Sequence, residues 1–317
     1  TILGGVAGDT ITTAGGTDTI IGDNGVVTLN EANAVAGLQA GSVFVQIVSN
    51  LTLSDGSGTL DQTGGADTIT AGSGAKNVIG GFGGDVIKTG VNTTTGAAVG
   101  GAATRIVMGD NARVDYDTVT YTGKVVSYRT TDTVSTTGGV DTIWVGDGVN
   151  TILGGVAGDT IRSGAGTDTI IGDNGVVTLN DATQVNTTNA TTAGMAIIQI
   201  VSNLTLSDGS GNLDQTGGID IITADTGDKN IIGGYGGDQI TVGAGNHILV
   251  GDNAQVDYDK VTFNGKVVSY RTTDTVSTTG GIDVITVTGD GNNTILGGVA
   301  GDTITTVSNT TGGIDTI

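Results

Sequence analysis

Nine-residue periodicity limits the folds open to this chain more than any other feature. Gly233 to Thr241 read Gly-Gly-Tyr-Gly-Gly-Asp-Gln-Ile-Thr, and Gly80 to Lys88 read Gly-Gly-Phe-Gly-Gly-Asp-Val-Ile-Lys. Both fit G-G-x-G-x-D-x-U-x, with U a large apolar residue. The glycines allow positive φ and close backbone approach in a tight turn, the aspartate supplies a hard oxygen, and the U residue points inward from a very short strand. Residues 1–30 hold GGVAGDTIT, TAGGTDTII and GDNGVVTLN in one unbroken phase, and the block returns at 151–180. TILGGVAGDTI occurs from Thr1, Thr151 and Thr294, which sets a super-repeat of about 145 residues.

The nonamers fall into blocks at 1–30, 62–117, 136–180, 215–259 and 278–317, separated by excursions at 31–61, 118–135, 181–214 and 260–277. The block at 62–117 carries a Thr/Ala/Gly-rich insertion near Val91 to Ala103. Blocks end in Gly-Asp-Asn, at Asp23, Asp110, Asp173 and Asp252, where the aspartate moves to position two and regular coiling is expected to stop. The excursions read as β-hairpins. Val256 to Phe263 and Lys266 to Tyr270 flank Asn264-Gly265, a preferred type I′ turn pair. The longer excursions end in alternating strands, VFVQIVSNLTL at 43–53 and AIIQIVSNLTL at 196–206. No stretch keeps a 3.6-residue apolar period, so the expected class is all-β. Two nonamers would form one coil of a parallel β-roll, or β-solenoid, with equivalent turns stacked about 4.8 Å apart.

Composition removes several alternatives. With 59 glycines, no proline, no cysteine and ten aromatics among 317 residues, the chain does not describe an ordinary globular core. The even spacing of β-branched residues argues against disorder. A net charge of −21 argues against nucleic acid as a partner, because phosphate binding needs clustered Lys and Arg. No apolar run is long enough for a membrane-spanning helix. The absence of cysteine fits an extracellular bacterial protein that folds without disulfides and equally permits the cytosol. The chain opens at Thr1 and stops within a repeat, as a slice of a longer polypeptide whose export signals lie elsewhere would.

The chemistry is expected at position six of the nonamers, occupied by Asp9, Asp18, Asp67, Asp85, Asp141, Asp159, Asp168, Asp220, Asp238, Asp283, Asp302 and Asp315. Asp67 with Asp85, Asp141 with Asp159, Asp220 with Asp238 and Asp283 with Asp302 stand one coil apart and would share an ion. Ca2+ suits such a site because it takes six to eight oxygens and accepts the carbonyls that glycine turns present, whereas Zn2+ would want nitrogen or sulfur. The plainer alternative is that these aspartates hydrogen-bond turn backbone. In the opposite turns, position six holds Asn150 and Asp168 in one block and Lys229 and His247 in the next, with Lys76 equivalent to Lys229. A lysine cannot ligate calcium: either its ammonium replaces the cation, bridging turn carbonyls and Asp225 or Asp228, or it is a solvated lysine on a degenerate turn.

Catalysis is not expected: His247 is the only histidine, Glu31 the only glutamate, and neither H-E-x-x-H nor G-x-S-x-G occurs. An ice-binding face would need threonine at one fixed position, and position five runs through Gly, Thr, Ala, Val and Ile instead. Six of the ten aromatics, Tyr116, Tyr121, Tyr128, Tyr258, Phe263 and Tyr270, fall in the two shorter hairpins, either packed on the flank or set for contact with a neighbouring chain.

The nonamers resemble the haemolysin-type, or RTX, calcium-binding repeats of secreted bacterial proteins, over about two thirds of the chain. The resemblance implies a right-handed parallel β-roll, folding driven by calcium ions outside the cell, and type I secretion. It also implies roles from adhesin stalks and surface layers to the ends of proteases, lipases and toxins. The long super-repeat with hairpins favours the adhesin, surface-layer or matrix-fibre members. The expected function is therefore a structural rod, fibre or layer of a bacterial envelope or biofilm matrix that self-associates. The alternative is an adhesin segment whose hairpins bind a glycan or surface.

Overall fold

The computed structural model describes residues 1–49, 64–91, 99, 101, 103–132, 137–184, 192–202, 217–274, 279–307 and 313–317. Among the described residues there is no α-helix, and a single 3-10 turn, Ala182–Gln184, interrupts an all-β chain. Ten strands form a first, parallel sheet: Ile2–Leu3, Asp18–Ile21, Lys76–Gly81, Ala103–Asp110, Gly148–Gly155, Gly166–Asp173, Lys229–Gly234, His247–Asp252, Asn293–Leu296 and Asp315–Thr316. Nine form a second, also parallel: Thr10–Thr13, Thr68–Ala71, Val86–Thr89, Thr142–Val145, Thr160–Ser163, Ile221–Ala224, Gln239–Val242, Val284–Val287 and Thr303–Thr306. The chain visits the two sheets alternately. Where the nonamers run on without a break, paired residues are eighteen apart, as Thr142 with Thr160 and Ile221 with Gln239.

Register is strict because a one-residue slip would turn each strand's apolar set out into water. In the second sheet Ile11, Ile69, Ile87, Ile143, Ile161, Ile222, Ile240, Ile285 and Ile304 line up as one row. That row packs against Ile20, Val78, Val107, Ile152, Ile170, Ile231 and Leu249 of the first sheet. Each fully buried isoleucine contributes roughly 1.5–3 kcal/mol, so the row is the main apolar tie between the two sheets.

The hairpin segments do not stand apart from one another. Gly25–Leu29, Phe44–Ser49, Ala112–Tyr116, Val125–Thr130, Gly175–Leu179, Ile197–Ser202, Ala254–Tyr258 and Val267–Thr272 form one antiparallel sheet, in which spatial order follows chain order. Phe44–Ser49 pairs with Ala112–Tyr116, and Val125–Thr130 with Gly175–Leu179, joining excursions that are far apart in sequence. Four of these strands come from nonamers that close the coil blocks. Their inward residues, among them Val114, Val177, Ile200 and Val256, pack on the outer face of the first sheet. The first sheet is thus the middle layer, which explains its adjacent apolar pairs Ile20-Ile21, Val78-Ile79, Ile170-Ile171 and Ile231-Ile232.

The aromatics divide accordingly. Tyr116, Tyr128 and Tyr258 are buried on the flank, and the hydroxyls of Tyr116 and Tyr258 accept hydrogen bonds from Asn77 and Asn230 at 2.9 and 2.8 Å. Tyr270 remains exposed. Asn264-Gly265 lies within a longer loop rather than in a two-residue turn, since the strands stop at Tyr258 and resume at Val267. Phe263 and Gly265 take left-handed φ of 51° and 72°, and Asp259 organises the loop by accepting from the Val261 and Thr262 N–H groups at 2.9 and 3.2 Å. Residues 50–53 and 203–206 of the alternating strands, and most of the insertion at 91–103, lie outside the described residues.

Candidate metal centre

Nine of the position-six aspartates stand in one row, along the turns that lead from the first sheet to the second: Asp9, Asp67, Asp85, Asp141, Asp159, Asp220, Asp238, Asp283 and Asp302. The backbone N–H of each of the first eight donates to Oδ1 of the next aspartate, at 2.6 to 3.1 Å. The pairs expected from an eighteen-residue spacing are therefore neighbours in a continuous ladder. Asp85 bonds to Asp141 at 2.6 Å, as closely as Asp67 bonds to Asp85 at 2.7 Å. Backbone hydrogen bonding thus occupies one carboxylate oxygen and leaves the other free.

That second oxygen is the unusual one. Oδ2 of Asp9, Asp67, Asp85, Asp141, Asp159, Asp220, Asp238 and Asp283 is buried without a hydrogen-bond partner. It lies over a glycine and beside a glycine carbonyl oxygen. A Cβ placed on Gly172 would fall 1.9 Å from Asp220 Oδ2 and 2.5 Å from the Gly233 oxygen, and one on Gly80 would fall 2.1 Å from both Asp85 Oδ2 and the Gly109 oxygen. Acceptors thus converge with no donor between them, an arrangement that is costly unless a cation or a proton intervenes. Burial raises the carboxyl of Asp67 to about 6, Asp283 to about 7, Asp220 to about 8 and Asp85 to about 10, with Asp141 adding to the rise at Asp85. Asp141, Asp159 and Asp238 are pushed well above the ordinary carboxylate range by the same burial. Among the described residues no three Asp, Glu, His or Cys side chains converge on one point; the oxygens that meet at each turn are one carboxylate and one backbone carbonyl.

The turns that feed the third sheet are the same turn cut in two. Gly22-Asp23 leaves, and Gly64-Gly65-Ala66-Asp67 returns to the ladder. Asp23 staples the cut by accepting from Gly65 N–H at 3.1 Å and from Phe82 N–H of the next coil. Asp110, Asp173 and Asp252 do the same, through Gly139 and Val156, Gly218 and Tyr235, and Gly281 and Val299. Burial lifts Asp23 to about 7 and Asp252 to about 6. In the sequence these aspartates read only as stop signals. The fact that Gly-Asp plus Gly-Gly-x-Asp recomposes one nonamer turn would have placed them in it.

Asp18, Asp168 and Asp315 belong to the facing row, in the turns from the second sheet back to the first. By strand register that row runs Asp18, Lys76, Arg105, Asn150, Asp168, Lys229 and His247, with Asn293 paired to Asp315 at its far end. The chain supplies its own cations here. Lys229 Nζ donates to the Gly164 and Gly166 carbonyls at 3.0 Å and to Asp168 Oδ2 at 2.6 Å, with both side chains fully buried. Lys76 repeats this with Gly16 and Asp18 at 2.8 and 2.5 Å. The carboxylate partner is thus the preceding residue of the row rather than Asp225 or Asp228; Asp228 instead accepts from Asn246 at 2.9 Å. Arg105 donates to the Asp147 carbonyl at 2.7 Å, and His247 Nε2 lies 3.1 Å from the Gly243 oxygen.

No helix among the described residues is long and apolar enough to cross a membrane. Comparison with protein families, with curated proteins and with solved structures finds no match to this chain.

Proposed function

We propose that this chain is a calcium-stabilised structural module, a right-handed parallel β-roll that serves as a rod, fibre or layer element on or outside a bacterial cell. The observation that carries the reading is the line of eight buried Oδ2 atoms, each without a donor and each beside a glycine carbonyl. Nine aspartates, Asp9, Asp67, Asp85, Asp141, Asp159, Asp220, Asp238, Asp283 and Asp302, would hold Ca2+ through Oδ2, while Oδ1 keeps the turns in register. Ca2+ in this channel supplies positive charge and accepts a mixed carboxylate and carbonyl set, which Mg2+ accommodates poorly. The facing row needs no such ion, because Lys76 and Lys229 occupy the equivalent place.

The mechanism is linkage: a cation that binds the folded turns and not the unfolded chain favours folding by mass action. A chain of net charge −21 stays expanded without it and stiffens where calcium is plentiful, as outside a cell. Export by a type I system and self-association into fibres or layers extend the RTX resemblance. Electron microscopy of the purified protein in millimolar calcium and after chelation tests the proposal. Rods that dissolve on chelation and re-form on adding calcium support it, and rods indifferent to chelation refute it.

A further inference from the structure

The outward face of the second sheet is unlike the rest of the molecule. Its outward positions are the first and third residues of each strand, and none of the nine strands places an Asp or Glu there, in a chain with 32 acidic residues. The third residues line up in register as Thr12, Thr70, Lys88, Trp144, Arg162, Thr223, Thr241, Thr286 and Thr305. Threonine thus recurs at position nine of the nonamer, although not at position five. Three successive strands break the row. Lys88 Nζ sits 4.5 Å from the ring centroid of Trp144, and Arg162 pairs in register on the other side.

The interruption is not demanded by the fold. The second super-repeat uses Thr241, Thr286 and Thr305 at the three corresponding places, while the buried isoleucines beside them, Ile87, Ile143 and Ile161, are kept as Ile240, Ile285 and Ile304. The isoleucine is kept while the outward third residue changes, and three residues far apart in sequence change at neighbouring sites. Neither Lys88 nor Arg162 has a carboxylate partner among the described residues, whereas Lys76, Arg113, Lys229, Lys260 and Arg271 do.

We propose that Lys88, Trp144 and Arg162 form a contact site for an anionic polysaccharide carrying uronate groups. Strands about 4.8 Å apart spread the three side chains over about 10 Å, comparable to a disaccharide. The half-buried indole, faced from one side by Lys88, would offer its other face to one sugar ring. Arg162 and Lys88 can each take a carboxylate on either side, the guanidinium in bidentate fashion. The flanking hydroxyls of Thr70, Thr142, Thr160 and Thr223 suit sugar hydroxyls. An acidic peptide would use the cations but leave the indole and the hydroxyls idle. Each of the three residues follows a ladder aspartate by three positions, Asp85, Asp141 and Asp159, but points out from the sheet, and the proposal does not rest on calcium binding by those turns.

Trp144 is the only tryptophan, so its fluorescence reports this site alone. Hyaluronan oligosaccharides, which carry glucuronate, titrated into the intact chain in calcium buffer should give a saturable change in Trp144 emission that weakens with salt. The Lys88→Thr/Arg162→Thr variant installs the residues the other super-repeat uses. It should melt within a few degrees of the parent and bind at least about tenfold more weakly. Trp144→Thr, followed by calorimetry, should lose binding by a similar factor. No response to hyaluronan, undiminished binding by the double variant, or an equal response to polyglutamate, duplex DNA or neutral dextran would overturn the proposal.

Discussion

Lys229→Met removes an ammonium that the fold uses as a fixed internal cation. Its loss strands the Asp168 carboxylate and two carbonyl oxygens, those of Gly164 and Gly166, where both side chains of the pair have no solvent exposure. Breaking one side of a buried ion pair costs about 3–5 kcal/mol, because the remaining charge is neither solvated nor paired. At about 2–4 °C per kcal/mol for a cooperative unit of this size, melting should fall by about 10 °C in saturating calcium. The chain contains its own comparison: Lys76→Met leaves Asp18, whose side chain is 26% exposed, so water recovers part of the loss and the cost should be about 1–2 kcal/mol. Asp168→Asn with Lys229→Met removes the stranded charge and keeps an Oδ1 acceptor for the Asn150 side chain, which now donates at 2.8 Å. That double variant should regain at least half of the lost stability in a mutant cycle. Hydrogen exchange at 164–168 should locate the effect. Equal melting of Lys229→Met and parent, or a double variant no better than the single one, would refute the internal-cation account.

Other expectations follow from the same geometry. In chelator, the folded-state carboxyls near 6, 7, 8 and 10 at Asp67, Asp283, Asp220 and Asp85 lie above the unfolded value of 3.8. Their contribution is therefore fully present below about pH 4 and is lost as pH rises through 6 to 10, so the metal-free chain should melt higher at pH 4 than at pH 8. Gly172→Ala drives a methyl to within 1.9 Å of Asp220 Oδ2 and should cost about 2–3 kcal/mol. Gly301→Ala, which meets nothing within 4 Å, should stay within about 0.5 kcal/mol of the parent. Thermal melts in calcium separate the two.

The turns were legible in the sequence because their chemistry dictates residue type. Only glycine fits where Asp85 Oδ2 and the Gly109 oxygen both lie 2.1 Å from a would-be Cβ, so Gly80 and its equivalents mark the coil. The single isoleucine at position eight, between two outward residues, marks the second sheet. The third sheet was legible strand by strand and not as a whole, because Arg113 meets Val48, and Arg129 meets Val176, across long sequence gaps that no local pattern records. One signal was available: adjacent apolar residues such as Ile170-Ile171 need apolar layers on both faces. Position six marks Lys229 as out of place in a turn whose repeat elsewhere carries aspartate. Which carboxylate it meets depended on stacking, where Asp168 lies directly beneath it in register although 61 residues away in sequence.

Calcium-dependent folding at pH 7.5, followed by far-UV circular dichroism, tests the central claim most directly. If the unpartnered oxygens of the aspartate row hold calcium, chelation should abolish the β signal or lower the melting temperature by tens of degrees. Millimolar calcium should restore it, and magnesium at the same concentration should not. An unchanged β signal and unchanged melting in excess chelator would contradict the account.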